Sequence, residues 1–169
     1  MNQTNSETQK IKQLLIDSYD GEAWHGPSVK RILDTIDVGV AAQRLTGSHN
    51  IIEIVRHMVA WRHFVVARLQ GNDAFDVTAD NNWTRVTELQ AFAWLEATEQ
   101  LQQSQEQMIR LLDNMEDNKL DEIVFGRTYN YYTLLQGIIQ HDLYHLGQIV
   151  LLNKPQLTVT MAGQTQPAG

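Results

Sequence analysis

The feature that most constrains this chain is a long apolar helical pattern that runs from Tyr131 to about Asn153. Its apolar residues recur at helical spacing and fall on one broad arc of the helix surface: Leu134, Leu135, Ile138, Ile139, Leu146, Ile149 and Leu152. Asp142 and His145 fall inside the same arc, and His141 lies at its border. Because such an arc has to be buried against other elements, we expect these three polar side chains to face the interior with it.

The spacing of His141 and His145 is compatible with a metal site. Imidazoles four residues apart on a helix lie about 6 Å apart on one face, so both can reach one ion. Buried polar groups cost on the order of several kcal/mol unless each has a partner, and a metal suits all three. The alternative is two ordinary helix histidines, since His-x-x-x-His alone is a weak signal. Asp142 either orients an imidazole N–H or is an acid that forms hydrogen bonds on the helix surface or between helices.

The same stretch resembles the H-E-x-x-H motif of zinc proteases, with Asp142 in place of the glutamate. Aspartate is shorter by a methylene group and does not reach a metal-bound water in the same way. In addition, no Asp, Glu or His follows His145 in the chain, so a downstream third ligand is missing. The sequence therefore argues against this class of protease.

Three further long helices are predicted, which makes the chain an all-α four-helix bundle with negligible strand content. They cover about 6–18, the segment from Ser48, His49 or Asn50 to Gly71, and the segment from a capping box of Thr87 and Gln90 to about Asn114. Short extra helices are expected in the connections, chiefly between 28 and 45, and VFGRTYNYY is a candidate for an extended piece. We expect one domain over residues 1–154 and a weakly ordered tail over 155–169.

A third metal ligand in a bundle would come from a facing helix, and the predicted helix that ends at Gly71 carries three histidines. His49 points away from the apolar arc of that helix. His57 lies just outside one edge of the arc, and His63 lies just outside the opposite edge. Helical periodicity therefore leaves the choice between His57 and His63 open.

Composition narrows the classes of function. The net charge of -7 argues against nucleic-acid binding, because phosphates are bound by basic surfaces, and against an anionic membrane surface. No apolar run is long enough to span a bilayer, and the N-terminal residues carry no apolar signal segment. The absence of cysteine excludes disulfides, cysteine zinc sites and thiol nucleophiles. We therefore expect a soluble, cytoplasmic protein whose partners are small molecules.

Three stretches, taken in order, resemble the DinB/YfiT-like family of metal-dependent helical proteins: AWHGPSVKRIL, HNIIEIVRHMVAWRHF and IIQHDLYHLGQIVLL. Together they extend from about Trp24 to Leu152. The resemblance implies a four-helix bundle in up-down-down-up order and a divalent metal ion held by three histidines. It maps the histidine of the second stretch onto His57, in VRHMVAW, and the pair of the third stretch onto His141 and His145.

Four aromatic or imidazole side chains are further candidates for the surroundings of the site. Trp24 and His25 match the family pattern; they either line the mouth of the site, or Trp24 anchors its loop and His25 caps the next helix. Trp61 and Tyr144 are candidates for lining the pocket, and the alternative is that they belong to the core or to an interface.

Two other expectations concern the outer faces of the bundle. Arg56, Arg62 and Arg68 are expected at an exposed or subunit-facing edge. Gly137 and Gly147 lower helix stability, so they are expected at close packing contacts on the back of their helix.

Such a site suggests two kinds of chemistry. Three neutral imidazoles leave the ion at its full charge with open positions, and zinc or nickel suits these ligands. The ion would activate either water for hydrolysis or the sulfur of a low-molecular-weight thiol for transfer to an electrophile. The resemblance favours the thiol S-transferase and also implies a homodimer. The alternative is a non-catalytic, metal-stabilised stress-response or scaffold protein, in which a fourth protein ligand closes the site.

Overall fold

The computed structural model describes residues 6–45 and 47–154 and confirms an all-helical chain. In chain order its helices are α1 (Glu7–Tyr19), α2 (Val29–Leu33), α3 (Val38–Ala42), α4 (Ile51–Leu69), α5 (Ala79–Asn82), α6 (Gln90–Asp113), a 3₁₀ helix (Asp117–Asp121) and α7 (Tyr131–Leu152). Of these, α1, α4, α6 and α7 are long, and the others lie in the connections as predicted. The tail predicted at 155–169 lies outside the described residues, and the single domain over 1–154 stays a prediction.

Three of the long helices begin at a side-chain cap. Ser6, Asn50 and Asn130 each accept a hydrogen bond from the backbone N–H three residues further on, at 3.2, 2.9 and 3.0 Å. These bonds satisfy N–H groups that have no partner inside the helix. The capping box predicted from Thr87 and Gln90 is wrong: α6 begins only at Gln90, too late for Thr87 to occupy the N-cap position.

Helices α4 and α6 run in the same direction. Arg56 near the start of α4 pairs with Glu96 near the start of α6 at 3.1 Å. Further along both helices, Arg62 donates to Gln105 at 2.9 Å. Because the residue numbers of the partners rise together, the two helices are parallel.

Helices α4 and α7 run in opposite directions. Arg62 in the middle of α4 pairs with Asp142 in the middle of α7 at 2.7 Å. The C-terminal Arg68 of α4 accepts, through its carbonyl oxygen, a hydrogen bond from the hydroxyl of Tyr131 at the start of α7, at 2.9 Å. The partners' numbers therefore change in opposite senses, as in an antiparallel pair.

Helix α1 is antiparallel to α6. Lys12 pairs with Asp113 near the end of α6, whereas Leu15, further along α1, accepts at its carbonyl oxygen from Gln105, earlier in α6, at 2.9 Å. If α1 points up, α6 and its parallel neighbour α4 point down, and α7 points up. The predicted up-down-down-up order is thus confirmed.

The apolar core has two clusters along the bundle, and each of α4, α6 and α7 contributes to both. The first cluster contains buried apolar residues from the segments 51–59 of α4, 93–101 of α6 and 146–149 of α7; the second contains buried apolar residues from 64–66, 108–112 and 134–139 of the same helices. Arg62, Gln105 and Asp142 fall between these segments on their helices. We call these three residues the polar layer.

The polar layer links all four long helices. Arg62 is 1% exposed and donates to one carboxylate oxygen of Asp142 from two nitrogens, at 3.0 and 2.7 Å. A third nitrogen donates to Gln105, whose own amide donates to the carbonyl oxygen of Leu15 in α1. The guanidinium also lies 5.1 Å from the ring centre of Tyr19. A single side chain of α4 thus contacts α1, α6 and α7.

The expectation that the arginines of α4 lie at an exposed edge is wrong for two of them. Arg62 and Arg68 are both buried. Arg68 donates to the carbonyl oxygens of Asn72 and Phe75, at 2.9 and 2.8 Å, and so fixes the chain that leaves the helix. Helix α4 packs against both α6 and α7, so charged residues on more than one of its faces need partners inside the protein.

The extended piece predicted in the connection before α7 is present as a single β-bridge. Ile123 and Asn130 form an isolated antiparallel bridge, and the backbone N–H of Val124 donates to the carbonyl oxygen of Tyr129 at 3.0 Å. Within residues 6–45 and 47–154 there is no regular strand. In the same part of the chain, no helix has the length and apolarity needed to cross a membrane.

Removing one member of the buried ion pair should destabilise the bundle strongly. Arg62→Ala leaves the Asp142 carboxylate buried without its partner, so we expect the free energy of unfolding in urea to fall by about 3–5 kcal/mol. The double variant Arg62→Met, Asp142→Leu should recover most of this loss, because apolar side chains of similar volume remove both charges.

The control for this experiment is Arg31→Ala, since Arg31 forms an exposed ion pair with Glu22 at 3.5 Å. Its loss should change the unfolding free energy by less than about 0.5 kcal/mol. Similar losses for Arg31→Ala and Arg62→Ala would contradict the role given to the polar layer.

Candidate metal centre

Three histidines meet where α4 and α7 face each other. His57 of α4 and His141 and His145 of α7 place one ring nitrogen each within 4.8 Å of one another. The Nε2 atoms of His57 and His141 are 3.1 Å apart. His63, the alternative that periodicity left open, is not part of this group, which we call the histidine cluster. The antiparallel packing of α4 on α7 therefore brings together the three histidines that the family resemblance indicated.

Two of the imidazoles are held by carbonyl acceptors. Nδ1 of His57 lies 2.9 Å from the backbone carbonyl oxygen of Asn82, and Nδ1 of His145 lies 2.8 Å from Oε1 of Gln148. Since a carbonyl oxygen only accepts, Nδ1 carries the proton in both rings, and the lone pair is at Nε2. Outer acceptors of this kind typically fix the tautomer and ring orientation of metal-binding histidines.

The chemistry of the cluster fits a divalent metal ion. The lone pair on Nε2 of His57 faces Nε2 of His141 at 3.1 Å, so this close pair needs a cation or a proton between the two atoms. Nitrogen ligands of a tetrahedral zinc ion are about 3.4 Å apart, close to the spacing found here. Nδ1 of His141 is buried and has no partner among the described residues. The three side chains could thus hold a metal through imidazole nitrogens.

A tryptophan that the sequence did not indicate covers one side of the cluster. Trp83 stacks on His57 with ring centres 3.8 Å apart and an angle of 4° between the rings. It also stacks on the exposed His49, at 4.0 Å. Trp83 and Asn82 come from the end of α5, inside a polar connection with no apolar periodicity. No pattern in the sequence points to them, because they meet the site only through the tertiary fold.

Asp142 is bonded to another helix of the bundle. Its Oδ2 atom accepts from Arg62, as expected of an interhelical acid, whereas its buried Oδ1 atom has no partner among the described residues; the role of acceptor for an imidazole N–H stays a prediction. Burial raises the pKa of Asp142, and the guanidinium of Arg62 acts against this rise. A buried guanidinium needs an anionic partner inside the core, which explains why Asp142 bonds to Arg62.

Of the other predicted neighbours of the site, Trp61 and Tyr144 lie near the histidine cluster, and Trp24 and His25 are exposed in a loop. Trp61 is close, with its ring centre 5.8 Å from that of His141, and it donates to the side chain of Asn82 at 3.2 Å. Tyr144 is 66% exposed, with its ring 5.0 Å from His145. His25 is exposed in its loop and lies outside the histidine cluster. Trp24 is fully exposed, so the idea that it anchors this loop is wrong.

An apolar cavity of about 280 Å³ adjoins the histidine cluster. It lies between α4 and α7, and His141 forms part of its wall. Aromatic and aliphatic side chains make up most of the remaining lining: Trp61, Phe64, Val65, Tyr129, Leu134 and Ile138. The cluster is thus next to a space that a small molecule can enter.

Burial keeps the three imidazoles neutral. It lowers the pKa of His57 and of His145, and it lowers the pKa of His141 to about 3, with a smaller contribution from the neighbouring His145. A neutral imidazole offers the lone pair that a metal needs. The cluster is therefore ready to accept a cation at neutral pH without first losing protons.

The metal-free protein should lose stability as the pH falls from about 6.5 toward 3. Folded His141 stays neutral down to about pH 3, whereas the unfolded residue takes up a proton below its ordinary pKa of 6.5. The unfolded state thus binds more protons, so stability that is complete above pH 6.5 is lost on acidification. Urea midpoints in the presence of a chelator, at about pH 7.5 and about pH 5, measure this loss.

His141→Gln should reduce that pH-dependent loss. His25→Gln, in the exposed loop, is the control and should keep the loss of the wild type. A loss in His141→Gln equal to that of the wild type would show that His141 does not contribute to the acid sensitivity.

Comparison with known protein families gives a match over most of the chain. A sequence model of the DinB superfamily matches residues 15–149, a range that includes all three residues of the histidine cluster and both members of the buried ion pair. Searches of curated proteins and of solved structures give no match. The matched range covers most of the chain and all of α4, α6 and the site-bearing part of α7. The chain therefore belongs to the DinB superfamily.

Proposed function

We propose that this protein is a divalent-metal-dependent enzyme whose ion is held by His57, His141 and His145. The observation that carries the proposal is the convergence of three neutral imidazoles within 4.8 Å, two of them with Nδ1 bonded to a carbonyl oxygen. Such bonds leave Nε2 as the ligand atom. Zinc and nickel are the ions that we propose, because borderline metals suit imidazole ligands.

The absence of a fourth ligand supports catalysis over a purely structural role. Among the described residues, the metal-binding group contains three side chains only. His25 lies in an exposed loop and Asp142 is paired with Arg62, so neither completes the site. Structural zinc sites are typically closed by four protein ligands, whereas catalytic sites keep a position open. The non-catalytic, metal-stabilised protein is therefore the second candidate.

Each part of the site has a distinct task in the proposed reaction. When bound, the ion would supply Lewis acidity that makes a thiol or a water molecule more acidic. His57 and His145 would hold the ion through Nε2, because Asn82 and Gln148 accept their Nδ1 protons. Trp83 stacks on His57 and limits the access of water to that side of the cluster. The cavity beside His141 offers the substrate a place close to the ion.

We propose thiol transfer as the reaction, with hydrolysis as the alternative chemistry of the same site. The chain has no cysteine, so a thiolate nucleophile has to come from a small-molecule substrate. The resemblance to the DinB/YfiT-like family favours a low-molecular-weight thiol as this substrate. It also supports a homodimer, and the exposed Tyr144 and Leu151 of α7 would suit a subunit contact.

Metal content is the direct test of the site. The untagged protein, incubated with zinc or nickel and then desalted, should hold about one ion per chain by mass spectrometry. His57→Ala, His141→Ala and His145→Ala should each lose it, because two imidazoles seldom hold an ion through desalting. His63→Ala is the matched control, since His63 is a partly buried histidine of the same helix and should not affect the ion.

Activity then separates the candidates. A metal-loaded protein that consumes a thiol together with an electrophile is a transferase, and one that cleaves esters without a thiol is a hydrolase. Stoichiometric metal with neither activity, together with a large loss of thermal stability in chelator, would favour the structural protein. A wild-type protein that binds no metal after loading would overturn the whole proposal.

The hydrogen bond from His145 to Gln148 should contribute to metal affinity. Gln148→Leu removes the acceptor of the Nδ1 proton, and we expect the metal affinity to fall by about 10–100-fold. Gln148→Glu keeps an acceptor at this position and should bind the ion at least as well as the wild type. Competition with a coloured chelator measures both variants; equal affinity of Gln148→Leu and wild type would contradict the orienting role.

A further inference from the structure

The apolar cavity has the size and chemistry of a ligand site. Its volume of about 280 Å³ is close to the lower end of ligand pockets, about 300 Å³, and exceeds the roughly 150 Å³ cavity that accepts benzene in another protein. No charged side chain lines it. Trp61, Phe64 and Tyr129 give it aromatic walls, which favour flat apolar groups.

Gly137 keeps the cavity open on the side of α7. A glycine inside a helix costs about 1 kcal/mol relative to alanine, so a reason for its presence is expected in the packing. The close helix contact predicted from the sequence is wrong, because a Cβ atom at Gly137 would meet nothing within 4 Å. Gly137 lines the cavity, so the space that a side chain would fill there is part of the cavity.

The position of Gly137 also connects the cavity to the histidine cluster. Gly137 precedes His141 by four residues, so both lie on one face of α7, about 6 Å apart. A molecule that lies over Gly137 therefore has one end at the imidazole of His141. Phe64 and Val65 of α4 close the opposite side.

We propose that this cavity binds the apolar part of the substrate, a neutral single-ring aromatic or short aliphatic group of about six to ten carbon atoms. The reacting atom of that substrate would be at the His141 end. That the bound molecule is a substrate rests on the proposed function. The cavity's affinity for apolar groups is, however, a property of the chain alone and does not need the metal.

Binding of toluene to the metal-free protein tests the cavity. We expect toluene to shift the methyl NMR signals of Val65, Leu134 and Ile138, and to do so with saturation. Benzoate, which has a similar ring and a negative charge, should bind more weakly than toluene, because the lining offers its carboxylate no charged partner.

Gly137→Leu is the variant that fills the cavity, and Gly147→Leu is its matched control. Both glycines are exposed in α7 and neither has an atom in the way of a Cβ, but only Gly137 lines the cavity. Leucine stabilises a helix relative to glycine, so both variants should fold. Toluene affinity should fall at least about tenfold in Gly137→Leu, which corresponds to about 1.4 kcal/mol, and stay unchanged in Gly147→Leu.

The outcomes separate this inference from the proposed function. Metal content that is normal in Gly137→Leu, together with lost toluene binding, supports the cavity as a separate subsite. If toluene does not bind, if benzoate binds equally well, or if Gly137→Leu keeps its toluene affinity, the inference is overturned even when the metal site is intact. A change of oligomeric state in Gly137→Leu without toluene binding to the wild type would assign the cavity to a subunit contact instead. Toluene binding by a protein that takes up no metal even after loading with zinc or nickel would overturn the assignment of the cavity to a substrate.

Discussion

The buried ion pair of Arg62 and Asp142 is the constraint on which the rest of the structure depends. Arg62 follows His57 by five residues on α4, and Asp142 directly follows His141 on α7. A shift of either helix along the other would separate the two charges inside the core, where an unpaired ion costs several kcal/mol. The pair thus fixes the relative position of the two helices, and the histidine cluster forms as a result of that alignment. Gln105 and Leu15 extend the same constraint to α6 and α1.

The ion pair also determines the electrostatic surroundings of the cluster. A lone guanidinium beside the cluster would repel a divalent cation, but Asp142 compensates the charge of Arg62 within hydrogen-bonding distance. The carboxylate tends to raise the pKa of His145, and the guanidinium tends to lower that of His141. Burial outweighs both, so the imidazoles remain neutral. The histidine cluster therefore stays uncharged although a buried ion pair lies beside it in the core.

Much of this could be predicted from the sequence, and the parts that could not have identifiable reasons. The arc of α7 correctly indicated that His145 and Asp142 face inward, because one buried face gives a clear period. Helix α4 packs on two neighbours, so its arc alone could not distinguish His57 from His63, and it misplaced Arg62 and Arg68. Asn82 and Trp83 belong to a connection, where no periodicity relates sequence to position. The role of Gly137 depends on space that only the packed helices define.

The way in which His57 is held has a kinetic consequence. Its acceptor is a backbone carbonyl at the end of α5, a four-residue helix with no buried residue, whereas the acceptor of His145 belongs to α7 itself. Short, exposed segments open at a lower free energy than the long helices that form a core. Fraying of α5 would therefore break the hydrogen bond from His57 to the carbonyl oxygen of Asn82 and the stacking of Trp83 on His57, while α4 and α7 stay folded. The lifetime of a cation held by the three histidines would then depend on this peripheral segment more than on the stability of the bundle.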